Sequence, residues 1–200
     1  MKIGVFISGT GTNMEAVCKN FISGNLSGVS EISFVLSDKR SAEGIEKARA
    51  LGINTIILPK KKDEDRDQYE KRLLEAIAPF STGLIVLAGF MKVLGHTFLA
   101  GYSGRIINIH PSLLPSFKGV DAQSRAFEYG VKVSGCSVHF VDETLDGGPI
   151  IIQQPVFREN SDDIDTFKSR ILREEHIILS KAITIVAEGK YSISDRFVLL

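Results

Sequence analysis

Asn108 and His110 stand two residues apart in RIINIHPSLLP, residues 105–115, at the end of an isoleucine-rich run. In a strand, residues two apart leave the same face, so the two side chains project together. A histidine gives and takes protons near neutral pH. An asparagine amide donates to a developing oxyanion without itself titrating. Pro111 lacks the N–H a strand ladder needs, and Pro115 stiffens the following turn, so the strand stops where the pair emerges. The carboxyl end of a strand in an open α/β sheet opens into the crevice where such sheets bind ligands. A histidine that merely caps the strand end is the competing reading, and the asparagine beside it favours chemistry.

A working histidine usually has an orienting carboxylate. LDGGPI (145–150) offers Asp146 in a glycine-flanked loop, with Asp142 and Glu143 close by. Spacing alone leaves all three open, and Asp before Gly-Gly is also good turn chemistry. GTGTN (9–13) lies between the first strand and the first helix, where backbone amides and the helix dipole favour an anion. A P-loop needs GKS or GKT, which is absent here. A dinucleotide fingerprint wants a small third residue where Met14 stands, although Asp38 after the second strand keeps that idea alive. One phosphate on Gly11, Thr12 and Asn13 fits better. His96, His139 and His176 are weaker candidates: a helix start, an alternating strand position and a charged helix patch. Neither HxH nor HExxH spacing occurs, so no metal is expected. GxSxG is missing, and Cys18 and Cys136 have no CxxC neighbour, so covalent and dithiol chemistry are disfavoured and buried free thiols are expected.

The elements that would hold these residues alternate. IGVFIS (3–8), EISFVLS (31–37), NTIILP (54–59), GLIVLAG (83–89) and RIINIH (105–110) are nearly continuous apolar runs, as suits parallel strands covered on both faces. Helical spacing appears from about residue 13, from 42 to 51, and through DEDRDQYEKRLLEAIAPF. This rhythm predicts a single-domain, doubly wound, mostly parallel α/β sheet with helices on both faces. After residue 115 the rhythm changes. A helix is expected over 121–130, stopped by Gly130. CSVHFV and IIIQQPVF are joined by a loop too short for a helical crossover, so they form an antiparallel addition. A long helix from about 161 to 188 and a terminal strand or meander complete one domain, 1–200.

Composition sets the class. The 200 residues are 44% hydrophobic and 24% charged, and 24 basic residues balance 24 acidic ones. Zero net charge argues against nucleic acid or an anionic membrane as the main partner, because counterion release needs a basic face. MKIGVFISG is too short for a signal segment and no run approaches 18 apolar residues, so a reducing cytoplasm is expected.

FISGTGTN, VLAGFMKVLG, NIHPSLLPSFKG, GCSVHFVDETLDGGPII and REEH, in this order, closely resemble the phosphoribosylglycinamide formyltransferases, folate-dependent enzymes of purine synthesis. The resemblance covers nearly the whole chain. Methionyl-tRNA formyltransferase carries a further tRNA-contacting domain, and formyltetrahydrofolate deformylase an N-terminal regulatory one; neither is expected here. The resemblance implies that the glycine amine of glycinamide ribonucleotide attacks the formyl carbon of 10-formyltetrahydrofolate, a cosubstrate. It implies Asn108 as oxyanion donor, His110 as general acid, and Asp146 as the carboxylate that favours the charged imidazole. It implies a ribonucleotide site of Gly11, Thr12, Asn13 and Glu175. The folate site would comprise Arg66, in a mobile loop, with Met91, Lys92, Val93, Leu94, Asn108, Asp142 and Asp146. Lys60, Lys61 and Lys62 would attract the folate's glutamate tail. Lys92 stands where relatives often have arginine, so a bidentate contact becomes a point charge. The partners implied are small molecules, with a monomer or homodimer as the assembly.

Overall fold

Apolar strands that continue without alternation need cover on both faces, and the chain supplies it from the start. The computed structural model describes residues 1–24 and 31–200. They form two compact units, Met1–Ile107 and Asn108–Leu200.

In the first unit, β1 (Lys2–Ile7), β2 (Glu31–Ser37), β3 (Thr55–Ile57) and β4 (Leu84–Leu87) lie parallel in the order β3-β2-β1-β4. Their crossovers are α1 (Thr12–Ile22), α2 (Glu43–Ala50) and α3 (Arg66–Ile77), followed by a 3-10 turn at Ala78–Phe80 and, after β4, by α4 (His96–Gly101). Phe6 of β1 lies at the centre of the core, with Phe34, Phe90 and Phe98 at ring centroids of 6.2, 5.3 and 5.6 Å. β3 is only three residues long and half-buried, because it lies at the edge of the sheet.

Local chemistry moves two helix starts from where the acids and serine placed them. Asp65 accepts from the Gln68 N–H while the Gln68 side chain accepts from the Asp65 N–H. This capping box starts α3 at Arg66, not within DED. Asp163 accepts from Thr166 N in the same way and starts the long helix at Ile164.

β5 (Ile106–His110) carries the chain from the first unit into the second. There α5 (Ala122–Tyr129) ends on Gly130 in the left-handed conformation, as the sequence predicts. β6 (Val133–Phe140) and β7 (Ile150–Phe157) pair antiparallel, and α6 (Ile164–Glu188) packs against both. The tail forms the hairpin β8 (Ser192–Ser194) and β9 (Phe197–Leu199), with β9 joining β7. The α/β class, parallel strands first and antiparallel strands at the C-terminal end, is the one expected. Among the described residues no helix is long and apolar enough to cross a membrane.

Candidate active site

Four side chains of the second unit converge, each placed by a different feature of the chain. β5 carries Asn108 and His110, β6 carries His139, and the loop between β6 and β7 brings Asp146. His110 Nε2 is 3.0 Å from the carbonyl oxygen of Phe117. A carbonyl only accepts, so Nε2 holds the proton and Nδ1 is the nitrogen open to a second one. That Nδ1 lies 3.4 Å from Asp146 Oδ2. His139 is held in the opposite tautomer: Nδ1 donates to the Phe140 carbonyl at 2.8 Å, leaving Nε2 to accept from Asn108 Nδ2 at 3.2 Å. The same Nε2 is 3.7 Å from Asp146 Oδ1. One amide proton of Asn108 is thus engaged and the other remains to donate.

Asp146 is a product of its loop. Its φ is +45°, a left-handed conformation that a short polar side chain tolerates. A Cβ on Gly147 would lie 2.0 Å from Thr144 Oγ1, and one on Gly148 1.9 Å from the Phe140 oxygen, so both following positions need glycine. Turn chemistry and carboxylate presentation are therefore one feature of DGG. Asp146 Oδ2 also accepts the Gly119 N–H at 2.7 Å. Asp142, by contrast, turns back on its own loop and accepts from Thr144 N at 2.8 Å.

The charges oppose burial with different outcomes. Burial would raise the Asp146 carboxyl, but the His139 ring, the Gly119 N–H and the His110 ring, the rings in their protonated forms, outweigh it and hold it at about 2. Burial pushes the His110 imidazole below its ordinary value, and the Phe117 carbonyl and Asp146 offset this only in part, with His139 and Arg125 pushing further down. The resemblance implied an imidazole kept charged by Asp146. Asp146 does act in that direction, but desolvation of the ring is larger, and the imidazole's shift is downward. Glu175 is buried on α6, where its Oε1 lies 3.4 Å from Gln123 Nε2 of α5.

In the first unit, Ser8, Gly9, Thr10, Gly11, Thr12, Asn13, Lys39, Ala88, Gly89 and Met91 line a cavity of about 250 Å³. Gly11 caps α1 with φ +68°, and a Cβ there would lie 2.8 Å from Gly44 Cα. Only glycine allows α2 to approach the loop so closely. α1 begins at this wall, and the start of a helix, with its dipole, suits a phosphate. Asp38 has other work than a ribose: it accepts from Ser8 Oγ at 2.6 Å and lies 3.6 Å from Lys92 Nζ. Met91 N donates to Ser8 Oγ at 2.8 Å. Met91 and Val93 are 63% and 54% exposed, open apolar surface that fits a flat heterocycle, whereas Leu94 is 6% exposed and belongs to the core. Arg66 is the first residue of α3, not a loop residue. Lys61, Lys62, Asp63, Glu64 and Gln68 line a second hollow of about 390 Å³.

Of two further residues beside these groups, the sequence ranks His139 as a weaker candidate and does not single out Lys39. His139 is a polar residue inside an apolar strand, the same signal that singled out His110. Lys39 lies two residues past the carboxyl end of β2.

The formyl transferase family model matches residues 1–183. A phosphoribosylglycinamide formyltransferase of Bacillus subtilis is 41% identical over 175 residues, covering 88% of this chain and 89% of that protein. The crystal structure of glycinamide ribonucleotide transformylase 1 from Symbiobacterium toebii superposes with a TM-score of 0.96 at 39% identity, covering 100% of this chain and 93% of that one. The trifunctional purine biosynthetic protein adenosine-3 of Gallus gallus is 40% identical across 98% of this chain, which spans only 19% of that larger protein. The chain belongs to the formyl transferase family and, within it, groups with the phosphoribosylglycinamide formyltransferases.

Proposed function

We propose that the chain transfers the formyl group of 10-formyltetrahydrofolate to the glycine amine of glycinamide ribonucleotide, giving formylglycinamide ribonucleotide and tetrahydrofolate. A C–N bond forms between the amine and the formyl carbon, and the bond from that carbon to the folate nitrogen breaks. The observation that carries this reading is the Asn108–His110–Asp146 set, with the His110 nitrogen free for a proton facing a carboxylate at 3.4 Å. As the amine attacks, the free amide proton of Asn108 donates to the oxyanion, a kind of interaction that grows with the charge in the transition state. Neutral His110 takes the proton that the amine sheds, with Asp146 stabilising the imidazolium. The same proton then serves the departing folate nitrogen. His110 therefore acts as base before it acts as acid.

Gly11, Thr12, Asn13 and Lys39 would hold the phosphate in the cavity of the first unit, with Glu175 on the ribonucleotide. Met91 and Val93 would offer their exposed side chains to the folate ring, with Lys92 between them. This reading takes residues 1–200 as one formyltransferase domain, supported by a single family match running through both units. The experiment is turnover of His110→Ala and Asp146→Asn in protein shown to be folded by circular dichroism. Both should lose most activity, and a folded His110→Ala of near-normal rate would remove it as the proton carrier.

A further inference from the structure

The C-terminal hairpin lies beyond residue 183, where the family match ends, and it touches the Asp146 loop at three places. Tyr191, just before β8, packs on Phe140 at the loop's entry, with ring centroids 5.4 Å apart. Phe197 of β9 pairs with Ile150 at the loop's exit. Between them Arg196, beside the hairpin turn, donates from Nη2 to the Gly147 carbonyl oxygen at 2.7 Å. That carbonyl belongs to the residue after Asp146; the Asp146 side chain is held from upstream by the Gly119 N–H at 2.7 Å, while the Gly147 backbone is tied locally by Gly147 N to Thr144 O at 3.2 Å. Asp146 holds a left-handed φ, a conformation that persists only where its surroundings over-determine it.

We infer that Arg196 is a positioning residue for formyl transfer, clasping the Gly147 peptide so that the Asp146 carboxylate stays on His110 and His139. The guanidinium acts through the backbone. Its two partners at the loop roots, Tyr191 and Phe197, keep the hairpin in place when Arg196 is changed, so the loop loses one tie and not its whole support. A carboxylate that drifts by about an ångström leaves the productive geometry, at a cost that falls on the chemical step and not on substrate capture. The inference rests on the reading of Asp146 as a catalytic group.

The test compares Arg196→Ala, Arg196→Lys and Asp146→Asn in the full chain, measuring kcat, both KM values and the thermal unfolding midpoint. Loss of one hydrogen bond from a charged but solvent-facing donor should lower kcat of Arg196→Ala about three- to tenfold. The ribonucleotide KM should stay within about twofold, since the residues assigned to that substrate lie outside the loop. Lysine keeps a donor within reach of the carbonyl, so Arg196→Lys should recover most of the loss. Wild-type kcat in Arg196→Ala, or equal losses in the alanine and lysine variants, would overturn the clasp. An active Asp146→Asn would instead overturn the reading of the site on which the clasp rests.

Discussion

His139 Nε2 lies 3.2 Å from Asn108 Nδ2 and is available to it only because Nδ1 on the other side of the ring donates to the Phe140 carbonyl. A backbone oxygen thereby sets a tautomer, and the tautomer orients the Asn108 amide. His139→Ala should leave Asn108 free to rotate and lower kcat about tenfold, less than the roughly 100- to 1000-fold loss from removing an oxyanion donor in Asn108→Ala. Because the two act as a unit, the double variant should be little worse than Asn108→Ala alone. Additive losses in a double-mutant cycle would show that His139 works by another route.

Two ionisable groups of the site predict two successive losses of stability on the acid side of the profile. The folded His110 titrates below the ordinary 6.5, so the unfolded chain binds that proton more readily. Stability should therefore fall as pH drops from 6.5 toward the folded value. The folded Asp146 carboxyl sits at about 2 against an ordinary 3.8. Its contribution is present above 3.8 and is lost as pH falls from there to about 2. Urea midpoints measured from pH 8 to 2.5 check both, and Asp146→Asn should remove the lower limb.

The cavity at the start of α1 predicts a separation of binding from chemistry. Lys39→Met should raise the KM for the ribonucleotide about tenfold and change kcat little, since a charge that holds a distant phosphate binds ground and transition states alike. Gly11→Ala should be worse. It forces a left-handed φ on alanine and sets a Cβ 2.8 Å from Gly44 Cα, costing about 1–3 kcal/mol of stability besides. Equal ribonucleotide KM values in Lys39→Met and wild type would place the phosphate elsewhere.

Glu70 gives a test of the scaffold. Its buried carboxylate accepts from Gly95 N at 2.5 Å and Phe98 N at 3.0 Å, capping α4 from another helix. Glu70→Leu should leave those amides unpaired and cost about 1–3 kcal/mol per abandoned group in chemical denaturation. It should also raise the KM for folate, because Gly95 ends the Met91–Leu94 segment. An unchanged folate KM in a destabilised variant would separate the cap from the pocket.

What could be read in advance followed the range of the interaction. Asn108 and His110 share a face by strand periodicity, a two-residue effect, and GTGTN announces its turn within five residues. Spacing alone leaves Asp146 among three acids, because the contact that holds its carboxylate, the Gly119 N–H, lies 27 residues upstream. His139 looked like an alternating strand residue because its value depends on the partner that β5 presents. The capping box was in the sequence as Asp65 and Gln68, but a run of acids concealed which one accepts. Burial of His110 was the least legible, since the sign of its shift depends on how closely the surrounding loops enclose the ring.

The most direct measurement follows folate release by purified protein supplied with 10-formyltetrahydrofolate, with and without glycinamide ribonucleotide. The account predicts tetrahydrofolate and formylglycinamide ribonucleotide in equal amounts when both substrates are present, and negligible release when the ribonucleotide is omitted. Release at the same rate without the ribonucleotide would contradict it, because water and not the glycine amine would then be the acceptor.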